Sequence, residues 1–585
     1  MFKGLCFFLK NGWKYDKRYV LWNLFNQLLH SLVPIAGALM PKFIIDELLG
    51  PCRPEKLLLY TGILLGYTLL ACALSSYFSW DGFSRRCQVN TEFDLALHRQ
   101  LSLADFERLE SPDFLDMQEK AKKFLYCDWH GFGYLLDCAL NILGQLFTLG
   151  GIAAIIAAIN PLIVLLFILL AALGALAESR AKKAAMRLSE EVSADQRCCI
   201  YYAGLFEDFH YGKESRINGL SSWLIHRERK FSENANRNIR RQNNGFIRSG
   251  ILRAVFTFLE QAAAYGYLLY QAAAGLISIG SFTMYIGAVT VFACSLRSAM
   301  DSLTEISAYD FYYERLEQYL SVPAALRESG HASVPEGMHQ IRFQSVSFRY
   351  PGQSGYSLKN ISLTLQPGQK LGIVGENGAG KTTFVKLLTR LYDPTEGKIL
   401  LDGVDIREID YDQYLSLFSA VFQDYRLFAC SLKDNIALAL PAEEARIERL
   451  LRQVGLGDKL DKLEKGIETA VYKNFDETGF EPSGGEGQKI ALARALYKDA
   501  PIVVLDEPTA ALDPRAEYEL YRQFHGLTEG KTAVYISHRL SSAKFCDKII
   551  VLEKGELREY GTHEELLALQ GKYAELFSMQ AQFYR

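Results

Sequence analysis

The chain has 585 residues, of which 49% are hydrophobic and 22% charged, and its formal net charge at pH 7 is -3. That length exceeds what one compact core usually holds, so we expect at least two domains. The near-neutral charge gives no reason to expect a nucleic-acid partner. The eleven cysteines lack CxxC spacing, which argues against a disulfide framework and a structural zinc site. A mean hydropathy of +0.01 is high for so charged a chain and predicts an apolar part joined to an ordinary soluble part.

Six apolar stretches before residue 305 are long enough to cross about 30 Å of hydrocarbon. Residues 1–20 are basic and amphipathic and lack a following small-residue cleavage site, which predicts an interfacial helix rather than a signal peptide. The stretches predict an all-α transmembrane domain with six spans. These spans are residues 20–45, 57–79, 132–157, 161–179, 249–275 and 282–304.

The charge of the connecting loops sets the expected orientation of these spans. Residues 180–248 carry fourteen Lys and Arg, whereas the turns near residues 160 and 278 carry none. By the positive-inside rule, the loops 80–131 and 180–248 and both termini lie in the cytoplasm. Each long loop has to return to the membrane, which predicts two helical arms, each a hairpin. The helix breakers Ser111-Pro112-Asp113 and His210-Tyr211-Gly212 mark the expected turning points.

Two charged side chains lie deep within the predicted spans. Glu260 lies 15 residues before Gly275 at the last outer turn, and Arg297 lies 15 residues after Phe282 on its other side. Both therefore have a similar depth on adjacent antiparallel helices. An ionisable group at that depth is costly unless it is paired or faces a water-filled cavity. Two interpretations remain open at this point: a structural ion pair, or charges that face a substrate cavity.

After a linker rich in small, polar and Pro residues, short apolar runs alternate with helical stretches, which predicts an α/β domain. Its run GIVGENGAGKTT holds Gly375, Gly380, Lys381 and Thr382 in GxxxxGK[ST] spacing, between a strand-like run and a helix. Backbone N–H groups of such a loop close on phosphates, the lysine neutralises the β- and γ-oxygens, and the threonine hydroxyl binds Mg²⁺. We therefore predict a P-loop ATPase domain with ATP and Mg²⁺ as cofactors.

Two further apolar runs end in residues suited to nucleotide hydrolysis. Ile502–Leu505 leads into Asp506 and Glu507, and Thr532–Ile536 leads into His538. A carboxylate at the carboxyl end of a strand, beside the phosphate loop, can hold Mg²⁺, which we expect of Asp506. The adjacent Glu507 can act as a general base on the attacking water, and His538 can contact the γ-phosphate.

Between the phosphate loop and the Asp-Glu pair lies the segment Ser483-Gly484-Gly485-Glu486-Gly487-Gln488, followed by KIALARAL. This segment resembles the signature motif of ATP-binding cassette (ABC) proteins. The whole chain resembles a half-transporter of the exporter type, in which six spans and two long cytoplasmic arms are joined to one ATPase domain. The resemblance implies an all-α transmembrane domain over residues 1–320, a linker over 321–340 and an α/β nucleotide-binding domain over 341–585.

The resemblance also implies roles for single residues. Tyr350 resembles the aromatic that stacks on adenine, Gln423 the glutamine that touches Mg²⁺ and the attacking water, and Asp513 the end of the loop that links two ATP sites. The turning points near 112–117 and 211–216 resemble two coupling helices that dock on ATPase domains. The expected catalytic residues are Glu507, His538 and Gln423, and the expected metal ligands are Thr382, Gln423 and Asp506. The expected nucleotide contacts are Tyr350, Gly375, Asn377, Gly378, Gly380, Lys381, Thr382, Thr383, Ser483, Gly484, Gly485, Glu486 and Asp513.

One position departs from the family pattern, because Pro482 stands where the family usually has leucine before the signature serine. Proline has no backbone N–H, but the expected phosphate contacts come from Ser483 and Gly485. We therefore expect any effect of Pro482 to act through the position of the following helix and to weaken one ATP site.

In this family the signature of one subunit completes the ATP site of the other, so the resemblance implies a dimer that clamps two ATP molecules. ATP binding favours the closed dimer and hydrolysis releases it, which drives alternating access. The predicted function is ATP-driven export. An importer or lipid flippase on the same scaffold, or a nucleotide-gated channel or regulatory subunit, are the alternatives. The expected partners are the lipid bilayer, a second half-transporter as homodimer or heterodimer, and a hydrophobic or amphipathic substrate, and the expected location is a bacterial inner membrane.

Overall fold

The computed structural model describes residues 2–126, 133–157, 198–208, 211–439, 441–506, 528–536 and 540–583, together with residue 526 and scattered positions between 162 and 180. The chain divides into two compact units. One comprises Met1–Leu103 and Pro112–Val322, and the other comprises Ala104–Ser111 and Pro323–Arg585. The division after Val322 falls inside the predicted linker.

The elements described in the first unit are helices. By length and composition, four of the described helices could cross a membrane: Lys17–Leu49, Pro54–Leu103, Gly133–Ala157 and Ile279–Leu320. They correspond to the first, second, third and sixth predicted spans. The helices that the structure describes in this unit are Lys3–Tyr15, Lys17–Leu49, Pro54–Leu103, Pro112–Tyr126, Gly133–Ala157, Gly212–Ile217, Ser221–Ala273 and Ile279–Leu320.

The other two predicted spans are not among these four helices. The fourth, residues 161–179, lies largely outside the described residues. The fifth, residues 249–275, occupies the last part of the helix Ser221–Ala273. Arg253 and Glu260 interrupt its apolar sequence, so this helix is less apolar than the four above. The count of six spans therefore stays a prediction.

Asp16 forms the corner between the N-terminal helix and the first span. It follows Tyr15, and its carboxylate accepts hydrogen bonds from the backbone N–H groups of Arg18 at 2.8 Å and Tyr19 at 3.3 Å. This is an N-cap, which satisfies donors that a helix start leaves free. The other carboxylate oxygen accepts a hydrogen bond from Arg85 at 2.9 Å, so the corner is joined to the helix Pro54–Leu103.

Side-chain amides join three of the long helices. Asn141 donates hydrogen bonds to the hydroxyls of Ser298 at 2.8 Å and Ser302 at 2.9 Å, and it accepts one from Gln27 at 3.2 Å. Hydrogen bonds between spans replace those that water cannot supply in hydrocarbon. Asn141 therefore links the first, third and sixth predicted spans.

The first predicted arm turns slightly earlier than expected. The helix Pro54–Leu103 ends before the segment Ala104–Ser111, which folds with the second unit and contains the short helix Phe106–Leu109. Pro112 is the first residue of the returning helix, a position where proline is tolerated because its N–H would have no helical partner. In the second arm the short helix Gly212–Ile217 begins within the predicted breaker, and His210 lies outside the described residues.

The second unit contains two sheets, and the predicted fold class, helical then α/β, is confirmed. The strand bounds are β1 Ile341–Phe348, β2 Leu358–Leu365, β3 Lys370–Val374, β4 Glu396–Leu401, β5 Val404–Asp405, β6 Phe418–Val421, β7 Ile502–Asp506, β8 Thr532–Ile536, β9 Lys548–Glu553 and β10 Glu556–Gly561. A four-stranded antiparallel sheet has the order β2-β1-β4-β5, and a six-stranded sheet has the order β10-β9-β3-β8-β7-β6. Strands β3, β6, β7, β8 and β9 are parallel, so their carboxyl ends meet at one edge.

Helices cover both faces of the parallel sheet, which explains why its strands are nearly continuous apolar runs. Along β7, Val503 and Leu505 join one core with the helix Gly484–Lys498, whereas Ile502 and Val504 join the core beneath the helix Lys381–Leu388. The helix bounds of this unit are Phe106–Leu109, Ala325–Glu328, Lys381–Leu388, Tyr411–Ser416, Leu432–Ala437, Glu444–Gln453, Gly457–Leu460, Gly484–Lys498, Leu540–Ala543, His563–Ala568 and Lys572–Phe583, with 3₁₀ turns at Ile406–Glu408 and Gly466–Glu468.

Arg390 is a fully buried cation that ties three segments of the second unit together. Its guanidinium is 0% exposed and donates to the carbonyl of Ile409 at 3.0 Å, the hydroxyl of Ser329 at 2.9 Å and the carboxylate of Asp393 at 3.3 Å. A buried charge is tolerated when its donors are satisfied in this way. Arg390 thus joins the middle of the predicted linker to the chain that follows the phosphate loop.

We predict that Arg390→Ala destabilises the second unit by about 3 kcal/mol, because it leaves the partly buried Asp393 carboxylate and the acceptors on Ser329 and Ile409 without their donor. Thermal and guanidinium unfolding of the full chain, followed by fluorescence, would measure the loss. The control is Arg558→Ala, which removes a half-exposed partner of Glu553 and should have little effect. Equal stability of the two variants would contradict the assigned role of Arg390.

Candidate nucleotide-binding site

The phosphate loop connects the end of β3 to the helix Lys381–Leu388, as the sequence predicts. Two of its glycines have left-handed backbone angles, with φ of +79° at Gly378 and +105° at Gly380. A Cβ atom on Gly380 would also come within 2.9 Å of the carbonyl oxygen of Ser357. Glycine is therefore required at that position for both conformation and space.

The ammonium of Lys381 closes this loop from the inside. It donates hydrogen bonds to the carbonyl oxygens of Gly375 at 2.8 Å and Glu376 at 3.2 Å. The residue is 6% exposed, so its charge is concentrated at the loop rather than dispersed in solvent. Phosphate oxygens that entered the loop would accept from the same donors, and charge-assisted hydrogen bonds of this kind are strong.

An open cleft of about 680 Å³ surrounds the loop and brings together eight of the predicted site residues. These eight are Tyr350, Asn377, Gly378, Gly380, Lys381, Thr382, Thr383 and Gln423. Thr382 and Gln423 are both exposed to the cleft, where their oxygens could reach a bound ion. The cleft is also lined by six residues that sequence reasoning missed: Gln353, Gly355, Tyr356, Ser357, Lys554 and Gly555.

The sequence around these six missed residues gives only a weak indication that they line the cleft. The segment 353–357 is a polar, Gly-containing loop before β2, and Lys554-Gly555 is the hairpin turn between β9 and β10. Both positions of that turn have positive φ, +50° at Lys554 and +82° at Gly555. The turn motif predicts a hairpin, but its place at the cleft follows from the strand order.

Tyr350 is held at one side of the cleft by its neighbours. Its hydroxyl is 3.1 Å from the hydroxyl of Thr383 on the phosphate-loop helix. Its ring packs edge-to-face against Phe348 at 5.0 Å and against Tyr392 at 5.5 Å between centroids. Such pairs fix ring orientation, so Tyr350 is preorganised as a stacking surface.

Asp506 ends β7 and is 2% exposed. Because β3 and β7 are parallel strands of one sheet, Asp506 and the phosphate loop lie at the same edge. A carboxylate, a threonine hydroxyl and a glutamine carbonyl are the kinds of oxygen donor that Mg²⁺ prefers. Of these three, Thr382 and Gln423 line the cleft, whereas Asp506 is not among its lining residues. The predicted residues Glu507, Asp513 and His538 lie outside the described residues.

The signature segment starts the helix Gly484–Lys498. Ser483 is its N-cap and forms a capping box with Glu486. Burial opposes ionisation of Glu486, but hydrogen bonds from Ser483 and the ion pair with Lys459 outweigh it, so the pKa of Glu486 lies below its usual value. Pro482 precedes the cap, where the helix needs no N–H from it.

The structure does not bring the signature residues to the phosphate-loop cleft of the same chain. Ser483 and Gly484 are exposed, and none of the four predicted signature contacts is among the residues that line the cleft. Gly487 approaches Tyr425, whose hydroxyl donates to the carbonyl of Gly484 at 3.0 Å. The exposed start of this helix is therefore available to another molecule.

The helical unit has a polar cavity of about 610 Å³ among its first three predicted spans. Polar side chains in its wall include Asn26, His30 and Arg86, and the exposed rings of Trp80 and Phe83 stand beside them. The buried hydroxyl of Tyr19, also in the wall, has no hydrogen-bond partner. Polar groups beside aromatic rings would suit a molecule with both polar and apolar parts.

Glu260 and Arg297 line a second, small cavity in this unit, but they do not form the ion pair that was one of the two interpretations. Arg297 donates to the hydroxyl of Thr257 at 2.9 Å instead. Glu260 is 4% exposed, and its Oε1 atom has no hydrogen-bond partner. Equal depth places two residues at one level, but their rotation about the helix axes decides whether they meet.

Comparison with known proteins places these features in a family. The sequence model described as ABC transporter matches residues 358–510. The subtilin transport ATP-binding protein SpaT of Bacillus subtilis is 31% identical over 485 residues, which cover 80% of this chain and 75% of that protein. An ATP-dependent lipid A-core flippase of Paraburkholderia xenovorans is 31% identical over 389 residues, 65% of this chain and 64% of its own length.

A solved structure of a bacterial Atm1-family ABC exporter with ATP bound shares the fold, with a TM-score of 0.83, 22% identity, and coverage of 97% of this chain and 98% of that one. The chain belongs to the ABC transporter family. It is a multi-pass membrane protein, and its α/β unit is the ATP-hydrolysing nucleotide-binding domain of an ABC transporter.

We predict that Lys381→Ala weakens ATP binding by about ten-fold or more, because a hydrogen bond to a charged group contributes about 1.5–3 kcal/mol. Equilibrium titration of the purified full chain with ATP would measure the change. Lys398→Ala, which removes an exposed lysine on β4 outside the cleft, is the control. Unchanged affinity in the Lys381 variant would refute a phosphate contact.

Proposed function

We propose that this chain is one half of a dimeric ATP-driven exporter, in which each ATP is clamped between the Lys381 loop of one subunit and the Ser483 segment of the other. The observation that carries the proposal is the separation of these two motifs within the chain. The cleft holds the phosphate loop, whereas the exposed cap of the signature helix lies outside it. A second copy or a related subunit would supply the missing wall of each site.

The chemistry we propose for this site is phosphoryl transfer to water. Thr382, Gln423 and Asp506 would hold Mg²⁺, which neutralises charge on the phosphates when bound. Lys381 would stabilise charge on the β- and γ-oxygens, and Tyr350 would stack on the base. Glu507 would accept the proton of the attacking water.

Closure of the ATP-bound dimer would favour one orientation of the transmembrane cavity, and hydrolysis would release it. ATP shifts this equilibrium because it contacts both faces of the closed dimer and one face of the open dimer. The work of transport would therefore come from differential affinity for two conformations.

We propose a hydrophobic or amphipathic substrate and a bacterial inner membrane as the location, with both termini in the cytoplasm. Two observations support the substrate class: the polar cavity flanked by Trp80 and Phe83, and relatives named for subtilin transport and lipid A-core flipping. Because the second relative is named as a lipid A-core flippase, a lipid flippase remains the alternative function.

We predict that Glu507→Gln lowers ATP turnover on the order of a hundred-fold or more, because an amide cannot accept the proton from water. ATP binding should persist, since the phosphate loop is unchanged. Phosphate release and ATP affinity measured on the same preparation would separate the two effects. The matched control, Glu529→Gln, changes an exposed glutamate far along the chain, and equal turnover in both variants would remove Glu507 from its role.

We predict that ATP and Mg²⁺ added outside membrane vesicles drive substrate into the lumen. Only chains whose ATPase domain faces the outside of the vesicle can bind this ATP, and export by those chains moves substrate inward. Probes would be a fluorescent cationic amphiphile and a labelled phospholipid. Accumulation of the amphiphile in the lumen would support export, and movement of the phospholipid alone would favour the flippase. Loss of preloaded probe on addition of ATP would indicate an importer, and ATP hydrolysis without any flux would indicate a regulatory subunit.

A further inference from the structure

Lys386 occupies an aromatic cage on the phosphate-loop helix, five residues after Lys381. Its ammonium lies 5.2 Å from the ring centroid of Phe106, 5.3 Å from that of Tyr350 and 5.4 Å from that of Tyr392. Each distance is within the range of a cation–π interaction. Nothing in the phosphate-loop motif assigns a role to this lysine.

The cage is closed by a carboxylate from a remote part of the sequence. Glu110 accepts a hydrogen bond from Lys386 at 2.9 Å and another from the hydroxyl of Tyr392. Burial would raise the pKa of Glu110, but the hydrogen bonds from Tyr392 and Lys386 outweigh that effect, so its pKa lies below the usual value. At neutral pH the carboxylate is ionised, and the interaction with Lys386 joins two full charges.

Phe106 and Glu110 both come from the turn of the first cytoplasmic arm. The segment Ala104–Ser111 folds with the ATPase unit, although the chain on either side of it belongs to the helical unit. Asp105 in the same segment accepts hydrogen bonds from the backbone N–H groups of Ala325 at 3.0 Å and Leu326 at 3.1 Å. The Lys386 cage thus attaches the segment alongside the Asp105 hydrogen bonds, and through Tyr350 it adjoins the nucleotide cleft.

Tyr350 belongs to the cage and to the nucleotide cleft at the same time. Its ring is one wall around the Lys386 ammonium, and the same residue lines the cleft beside the phosphate loop. A base stacked on this ring would restrict its motion and so favour the closed cage. A closed cage would in turn favour the ring position that stacks. Coupling of this kind is reciprocal by thermodynamic necessity.

We propose that Lys386 is a positioning residue that couples the base of the bound nucleotide, through Tyr350 and Glu110, to the arm segment Ala104–Ser111. The coupling rests on the proposed function, because it requires that a base stacks on Tyr350. It adds a specific set of contacts between the nucleotide and the arm. The base would stack on Tyr350, the Tyr350 ring would contact the Lys386 ammonium, and Lys386 would hold Glu110 of the arm segment.

The test compares a ligand that has a base with one that lacks it. Full-length wild type, Lys386→Met, Lys386→Arg and Glu110→Gln would be titrated with ATP and with inorganic tripolyphosphate, both with Mg²⁺. We expect ATP affinity to fall about five-fold or more in Lys386→Met and Glu110→Gln, while tripolyphosphate affinity stays unchanged because it does not use Tyr350. Lys386→Arg should retain most of the ATP affinity, since it keeps the cation. Combining Lys386→Met with Glu110→Gln should cost no more than either change alone.

Amide hydrogen exchange supplies the reciprocal measurement. Residues 106–110 should become more protected when ATP binds to wild type, less so with tripolyphosphate, and not in Lys386→Met. Glu107→Gln, in the same short helix, and Lys398→Met, on β4, are the matched controls and should behave as wild type. Thermal unfolding would check that each variant is folded.

Three outcomes would overturn the proposal. Equal losses for ATP and tripolyphosphate would mean that Lys386 supports the phosphate loop instead, and no loss for either would mean that the cage is ordinary packing. Additive losses in the double variant would mean that the two residues act independently. Tyr350→Leu separates these from a failure of the proposed function: unchanged ATP affinity in that variant would mean that no base stacks there.

Discussion

The contact between the Lys381 ammonium and the carbonyl oxygens at the start of its own loop is the interaction on which the chemistry of the ATPase unit depends. It holds a positive charge at the carboxyl edge of the parallel sheet, where Asp506 also ends its strand. The left-handed conformations of Gly378 and Gly380 give the backbone the curvature that this contact needs. The strand order and the loop conformation therefore place the Lys381 ammonium and the Asp506 carboxylate at the same edge of the sheet.

A second constraint is that each chain presents its two nucleotide-contacting motifs at different surfaces. The phosphate loop opens into a cleft, whereas the capped start of the signature helix is exposed away from it. Under the proposed function, the activity of one chain would therefore depend on a second subunit. The capping box of Ser483 and Glu486 satisfies backbone N–H groups at the exposed start of this helix, and so keeps that start ordered in the absence of a second subunit.

Sequence reasoning identified what is encoded locally. The phosphate loop, the strands that end near Asp506 and His538, and the division between helical and α/β parts follow from short motifs and periodicity. It failed where the answer depends on residues far apart in the chain. Glu110 lies 276 positions from Lys386, and no local pattern indicates that they meet. Glu260 and Arg297 line one small cavity, but Arg297 donates its hydrogen bond to Thr257, which the spacing of the two charges did not indicate.

The hydrogen bonds of Asn141 have a consequence for how the chain is made. Its two serine acceptors lie 157 and 161 positions further along, so the nascent third span enters the bilayer well before they have been synthesised. Until the last span arrives, this amide needs water, lipid headgroups or the insertion machinery as a temporary partner. Late insertion of that helix then completes the network, which couples its membrane assembly to that of the first and third predicted spans.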